Sequence, residues 1–333
     1  MVDSIESGLN IRQTQLSFFI TMDDRQKVKQ LVDNLAKAIV GKDEAIQLVL
    51  VALLSGGHAL LEDVPGVGKT LLAKSLAASI AGKFQRVQCT PDLLPTDITG
   101  TNIWNPRDGV FEFLPGPVFA NVLLADEINR STPRTQSALL EVMEETQVTV
   151  DGVSRKVPTP FFAIATQNPI EYQGTFPLPE AQLDRFALSF SLGYPSKDEE
   201  LQMLQRMQTG EVGASRLEPC VTTEEVLELR RRCASVPVND RISQYIVDLV
   251  RATRDDSEIT LGVSPRGTAA LQRAAQSFAF LRMMLDPNRQ SDYVIPDDVK
   301  FLAPYVLGHR LIAAGRRSPK GIVDRLLQTI QVP

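Results

Sequence analysis

Cysteine, histidine and tryptophan are nearly missing from this 333-residue chain, which has three, two and one of them. Cys89, Cys220 and Cys233 are odd in number and far apart, which argues against a disulfide framework. With only His58 and His309 to join them, no zinc spacing exists, and no Ser-His-Asp arrangement is credible. A bilayer-length apolar run is missing too, and residues 1–20 lack the basic-then-apolar order of a secretion signal. Nor does one sign of charge dominate. The net charge is −5, which argues against a protein that coats nucleic acid electrostatically. Together these absences point to a reducing, cytoplasmic setting with no transmembrane segment. What is present is 43% apolar residues, ample for a core, in a chain long enough for two domains.

Periodicity divides the chain into three parts. Residues 1–23 show little pattern and read as a flexible extension, with 1–21 dispensable. Helical spacing then opens at Met22-Asp23-Asp24 and carries Val28, Leu31, Val32, Leu35, Ala38 and Ile39. Over 24–194, strands are predicted at 58–61, 84–89, 121–125 and 161–166, with helices at 43–54, 70–81 and 133–145 between them. Such alternation implies a parallel sheet with helices on both faces. Asp108-Gly109 and Asp151-Gly152, each followed by alternating residues, read as two β-hairpins inserted into that core. From 195 to 333 the pattern is wholly helical, with helices at 197–207, 223–234, 240–253, 265–282 and 296–312. Arg230-Arg231-Arg232 reads as a solvated face within it.

The chemistry concentrates in Val64-Pro65-Gly66-Val67-Gly68-Lys69-Thr70-Leu71, between the first strand and a helix, the setting of a phosphate-holding loop. Gly66 and Gly68 let backbone N–H groups approach phosphates, Lys69 can reach the β- and γ-phosphates, and the Thr70 hydroxyl can ligate Mg²⁺. The common pattern has glycine where this chain has Asp63. A metal-holding acidic pair should end another apolar strand, and Asp126-Glu127 does so after Val122-Leu123-Leu124-Ala125. Asp126 can hold Mg²⁺ and Glu127 can deprotonate an attacking water. Asn168, at the tip of the fourth strand, can bind the γ-phosphate or that water.

Ordered blocks carry a further resemblance. They run from Gly56-Gly57-His58-Ala59-Leu60-Leu61 into the phosphate loop, then Thr90-Pro91-Asp92-Leu93-Leu94-Pro95-Thr96-Asp97, then Gly116-Pro117-Val118-Phe119-Ala120. Ala125-Asp126-Glu127-Ile128-Asn129-Arg130, Ala165-Thr166-Gln167-Asn168-Pro169 and Leu178-Pro179-Glu180-Ala181-Gln182-Leu183-Asp184-Arg185-Phe186 follow, with Gly262-Val263-Ser264-Pro265-Arg266 downstream. The chain resembles a MoxR-type AAA+ ATPase from about residue 39 to 311. The resemblance implies an α/β P-loop NTPase domain with a C-terminal all-α lid, and ATP and Mg²⁺ as cofactors. It makes Asp126 and Glu127 the Walker B pair, Asn168 the sensor-one residue, Arg185 an arginine finger and Arg266 the sensor-two arginine. Whether Arg266 would act in its own subunit or the neighbour's stays open. Val40 and Gly41 resemble the segment against the adenine ring. The resemblance also implies self-assembly into a ring, as a hexamer, and a chaperone-like remodelling, assembly or metal-insertion role on a client, one class of which carries a von Willebrand A domain. The rival readings are a nucleic-acid-acting motor, for which the hairpins carry few basic residues, and the motor subunit of a metal chelatase.

Overall fold

The computed structural model describes residues 22–169, 174–208, 217–286, 291–315 and 317–333, so the dispensable extension expected over 1–21 lies outside the described residues. In chain order come α1 (Met22–Ala38), α2 (Asp43–Leu54), β1 (Ala59–Glu62), α3 (Lys69–Ser79), β2 (Phe84–Gln88) and α4 (Pro95–Thr99). Next are the hairpin β3 (Gly100–Asn105) and β4 (Val110–Pro115), β5 (Val122–Asp126), α5 (Pro133–Glu145) and the hairpin β6 (Gln147–Val150) and β7 (Val153–Lys156). The core closes with β8 (Phe162–Gln167), α6 (Glu180–Leu183) and β9 (Leu188–Phe190). Beyond it lie α7 (Lys197–Gln208), α8 (Thr223–Ser235), α9 (Asp240–Asp255), β10 (Ile259–Leu261), α10 (Pro265–Leu285), α11 (Pro296–Leu307), β11 (Ile312–Ala313) and α12 (Pro319–Thr329).

The main sheet is parallel, in the order β2-β5-β8-β1-β9. Its central strands β5 and β8 are apolar almost throughout because both faces are covered. Alternation assigns the faces. Val122, Leu124, Phe162 and Ile164 enter one apolar cluster, while Leu123, Ala125, Ala163 and Ala165 enter another with α5. The first cluster continues without a break through α2 and α3 into the lid, where it takes in Leu271, Phe278 and Leu302. The helix α1 bridges both regions, since Arg25 donates to the Met283 carbonyl at 3.1 Å and Asn34 to Ser79 Oγ at 3.0 Å.

Three features differ from the expectation. The core has a fifth strand, β9, too short for a period-two signal. The lid is helical but carries a small antiparallel pair, Ile259↔Ala313 and Leu261↔Ile312. To form it, the helix expected over 296–312 stops at Leu307, three residues after an internal Pro304, and a further helix, α12, follows. Of the three consecutive arginines only Arg231 is exposed. Arg230 Nε donates to the Leu53 carbonyl at 2.8 Å, with burial pushing its guanidinium down to about 10, and Arg232 pairs with buried Asp24. Both hairpins are present. The second turns through Asp151 (φ +50°) and Gly152 (φ +77°), the two positive values that a tight Asp-Gly turn requires. Among the described residues no helix is long and apolar enough to cross a membrane.

Candidate active site

The loop between β1 and α3 opens a cleft of about 410 Å³ at the carboxy ends of the strands. Its walls include Pro65, Gly66, Gly68, Lys69, Thr70, Leu71, Asp126, Glu127 and Asn168. Gly66 (φ +87°) and Gly68 (φ +99°) are required for their backbone, because a Cβ at either would meet open space. Lys69 Nζ lies folded back on its own loop, donating to the carbonyls of Asp63 at 3.2 Å and Val64 at 2.9 Å. Val67 packs against the core instead of facing the cleft. Asp63 explains why glycine is absent from its position. Its buried carboxylate accepts from Ser191 Oγ at 2.5 Å, the Leu192 N–H at 2.6 Å and the Gly193 N–H at 3.0 Å. That triple bond set fastens the loop to the chain leaving β9. Val40 and Gly41 do not line the cleft. Gly41 lies against the Glu199 side chain, and the next residue, Lys42, donates from Nζ to the Tyr194 carbonyl at 2.8 Å.

The acidic pair stands at the tip of β5. Asp126 Oδ1 accepts from Thr166 Oγ1 at 2.6 Å and Oδ2 from Arg86 Nη2 at 2.6 Å. Thr166 Oγ1 in turn accepts from the Glu127 N–H at 2.9 Å, so one hydroxyl sets both acids. Glu127 is held in the left-handed region (φ +57°), a conformation costly for a non-glycine residue and typical of functional sites. Its carboxylate accepts from Gln88 Nε2 at 2.9 Å and pairs with Arg130 at 3.1 Å. Arg86, Gln88 and Thr166 were not singled out from sequence as site residues. The signal for Thr166 is a hydroxyl in an otherwise apolar strand; Arg86 and Gln88 lie on an edge strand whose polar positions look ordinary. The oxygen donors here, the Asp126 carboxylate and the Thr70 hydroxyl, suit a hard cation such as Mg²⁺, which takes one or two carboxylates and leaves the rest to phosphates and water.

Arg185 and Arg266 are elsewhere. They line a second opening of about 320 Å³ with Arg273, Arg310, Glu144, Asp184 and the 55–58 turn that precedes β1. The two openings share no lining residue and lie at opposite ends of β1, a strand about 13 Å long by its four residues. Arg185 pairs with Glu144 at 3.0 Å, not with adjacent Asp184. Arg266 takes the other oxygen of Glu144 at 2.9 Å. Asp184 is occupied by Ser264 Oγ at 2.8 Å and by Arg310 Nε at 2.8 Å. Arg310, a buried lid residue, also donates to the carbonyls of Phe186 at 2.6 Å and Ala187 at 3.1 Å. His58 floors this opening. Its Nδ1 accepts from the Ala163 N–H at 3.0 Å, which leaves Nε2–H to donate to the Met143 carbonyl at 3.0 Å. Burial pushes its pKa down to about 4, so the ring is neutral.

Known proteins resemble this chain in sequence and fold. Residues 58–188 match the family model of the ATPase family associated with various cellular activities (AAA), and 251–329 match the AAA lid domain. The uncharacterised protein YeaC of Bacillus subtilis (strain 168) is 48% identical over 307 residues, covering 91% of this chain and 93% of that protein. Chaperone MoxR1 of Mycobacterium tuberculosis is 41% identical over 320 residues, covering 92% of this chain and 82% of that protein. Among solved structures, a candidate ATPase from Cytophaga hutchinsonii ATCC 33406 superposes with a TM-score of 0.84 at 37% identity, over 98% of this chain and 99% of that one. With its P-loop core, helical lid and whole-length relatives, this chain belongs to the MoxR family of AAA+ ATPases.

Proposed function

We propose that this protein hydrolyses ATP to ADP and phosphate at sites shared between copies of the chain, and that turnover around a ring, six copies by the family pattern, remodels a partner protein. The carrying observation is that the phosphate loop and acidic pair sit at one end of β1 and the arginines at the other. A guanidinium there cannot reach its own chain's phosphates, but it can face those of a neighbour. In this reading Lys69 and the N–H groups of the loop neutralise the phosphate tail. Thr70 and Asp126 would hold Mg²⁺, which when bound would supply positive charge beside the γ-phosphate. Asn168 orients the water. Glu127 takes its proton as the water oxygen attacks the γ-phosphorus and the bond to the bridging oxygen of ADP breaks. Arg185 from the neighbouring copy stabilises the charge that develops, a role worth about 10³–10⁵ in rate where measured. Arg266 joins from the same neighbour, since it shares the Arg185 pocket.

A protein client is favoured over nucleic acid by the hairpins. They expose Ile103, Trp104, Phe111, Leu114 and Val153. Their acids, Asp108, Glu112 and Asp151, offset their bases, Arg107, Arg155 and Lys156, which leaves no cationic surplus to hold phosphates. A chaperone-like role agrees with the description of MoxR1 as a chaperone. Assembly of, or metal insertion into, that client are the forms of remodelling the family resemblance suggests. The test is complementation. Glu127→Gln should bind ATP and lose turnover by about 10²-fold or more. Arg185→Ala should lose turnover while binding ATP normally. Mixing the two should restore turnover, because an interface with Glu127 from one chain and Arg185 from the other is intact. Normal turnover by Arg185→Ala alone, or a mixture as inactive as its parts, refutes the shared site.

A further inference from the structure

The arginine pocket holds more cations than the shared site has so far used. Arg185, Arg266, Arg273 and Arg310 line it against two carboxylates, Glu144 and Asp184. Asp184 is committed to Arg310 and Ser264, so Glu144 is the anion left to the other three. Its carboxylate is divided, Oε2 lying 3.0 Å from Arg185 Nη2 and Oε1 2.9 Å from Arg266 Nη2. Arg273 stands seven residues after Arg266 on α10, two helical turns along the same face, and it makes no ion pair with the described residues. The Nε of Arg185 is buried without a hydrogen-bond partner.

Glu144 is also badly placed for a permanent anion. It lies in the last turn of α5, where the helix carbonyls present partial negative charge. It is 38% exposed, and Arg185 and Arg266 are 28% and 49% exposed, so water weakens both pairs. A polyphosphate brings several negative charges to the same guanidinium groups and offers each a planar, two-bond contact.

We propose that Glu144 is a built-in counter-ion that holds Arg185 and Arg266 in the separated chain, and that the ATP triphosphate on a second copy displaces it, with Arg273 as the third arginine on that phosphate. The proposal rests on the shared-site reading above. Glu144 acts as a positioning residue, and its loss makes assembly easier, an effect that structural damage does not produce. Arg273 acts as a phosphate-binding residue.

The experiment uses the full chain carrying Glu127→Gln, so that ATP persists, and follows assembly by sedimentation velocity over a range of protein concentrations with Mg²⁺–ATP or Mg²⁺–ADP. Adding Glu144→Gln should lower the midpoint concentration about three- to tenfold with ATP, from two screened ion pairs released, and leave the ADP midpoint unmoved. Adding Arg273→Ala should raise the ATP midpoint by a similar factor. An unmoved or raised midpoint for Glu144→Gln overturns the counter-ion, and an unmoved midpoint for Arg273→Ala overturns the third arginine. Turnover by Arg185→Ala in the chain that keeps Glu127, measured alongside, separates the layers. If that variant turns over normally the shared site itself fails; if it is inactive while the Glu144→Gln midpoint stays put, only the counter-ion fails.

Discussion

Replacing Asp63 with glycine gives the chain the residue that the common phosphate-loop pattern carries, yet it should damage the loop. Three donors converge on the Asp63 carboxylate. Ser191 is exposed and Gly193 half-buried, so both recover water when the carboxylate is lost. Leu192 is buried and its N–H does not. An orphaned buried donor costs about 1–3 kcal/mol, and the two bonds that water replaces contribute about 1 kcal/mol more. Glycine adds about 0.5–1 kcal/mol of backbone freedom to the unfolded chain. The sum is about 3–4 kcal/mol, or on the order of 10 °C in melting temperature for a domain of this size. Asp63→Asn keeps one acceptor oxygen but aims an amide at a donor, so its loss should be intermediate. Nucleotide affinity should fall about tenfold for Asp63→Gly, because the anchored loop is what presents Lys69 and its N–H groups. Calorimetric melting and titration with a fluorescent ADP analogue measure the two effects. An Asp63→Gly chain that melts within about 2 °C of the wild type and binds ADP equally well refutes the reasoning.

Other perturbations follow from the same geometry. His58 is held near pKa 4 in the fold against about 6.5 when unfolded, so between those values the unfolded chain binds the extra proton. Its contribution is intact above pH 6.5 and is lost as pH falls towards 4, amounting to about 3 kcal/mol; buried His309 is lowered too and acts in the same direction. His58→Gln, which can keep an acceptor and a donor, should flatten that acid limb in a series of melting curves, and parallel limbs would sink the assignment. Arg86→Ala removes a half-exposed cation from the wall beside Asp126. ADP affinity should fall about fivefold in EDTA and less with Mg²⁺, which supplies charge at the same place. Equal losses in calorimetric titrations with and without metal count against that view of Arg86.

The sequence made the sheet readable where burial forces both faces to be apolar, as in Val122-Leu123-Leu124-Ala125, and where glycine spacing declares a backbone, as at Gly66 and Gly68. It was silent where an element is too short to show a period. Leu188–Phe190 is three residues long, and its buried Ser189 reads as polar although its hydroxyl donates to Glu62 at 2.8 Å. The pairing of Arg185 and Arg266 through Glu144 joins residues 41 and 122 positions away from that acid, a juxtaposition that no local pattern encodes. Likewise Arg230 and Arg232 were hidden in a run that looked like a wet helix face. Their partners, the Leu53 carbonyl and Asp24, lie in helices far upstream.

The short strand β9 has a mechanical consequence. At its carboxy end, residues 191–193 are bolted to the phosphate loop through Asp63. At its amino end, the Asp184–Ala187 stretch bears Arg185 and is gripped by Arg310 of the lid. Extended chain about 10 Å long cannot stretch, so it works as a push-rod. It thereby ties the phosphate loop at one end of the strand to the segment bearing Arg185 at the other. Under the shared-site proposal, two neighbouring sites would be joined through these three residues of backbone.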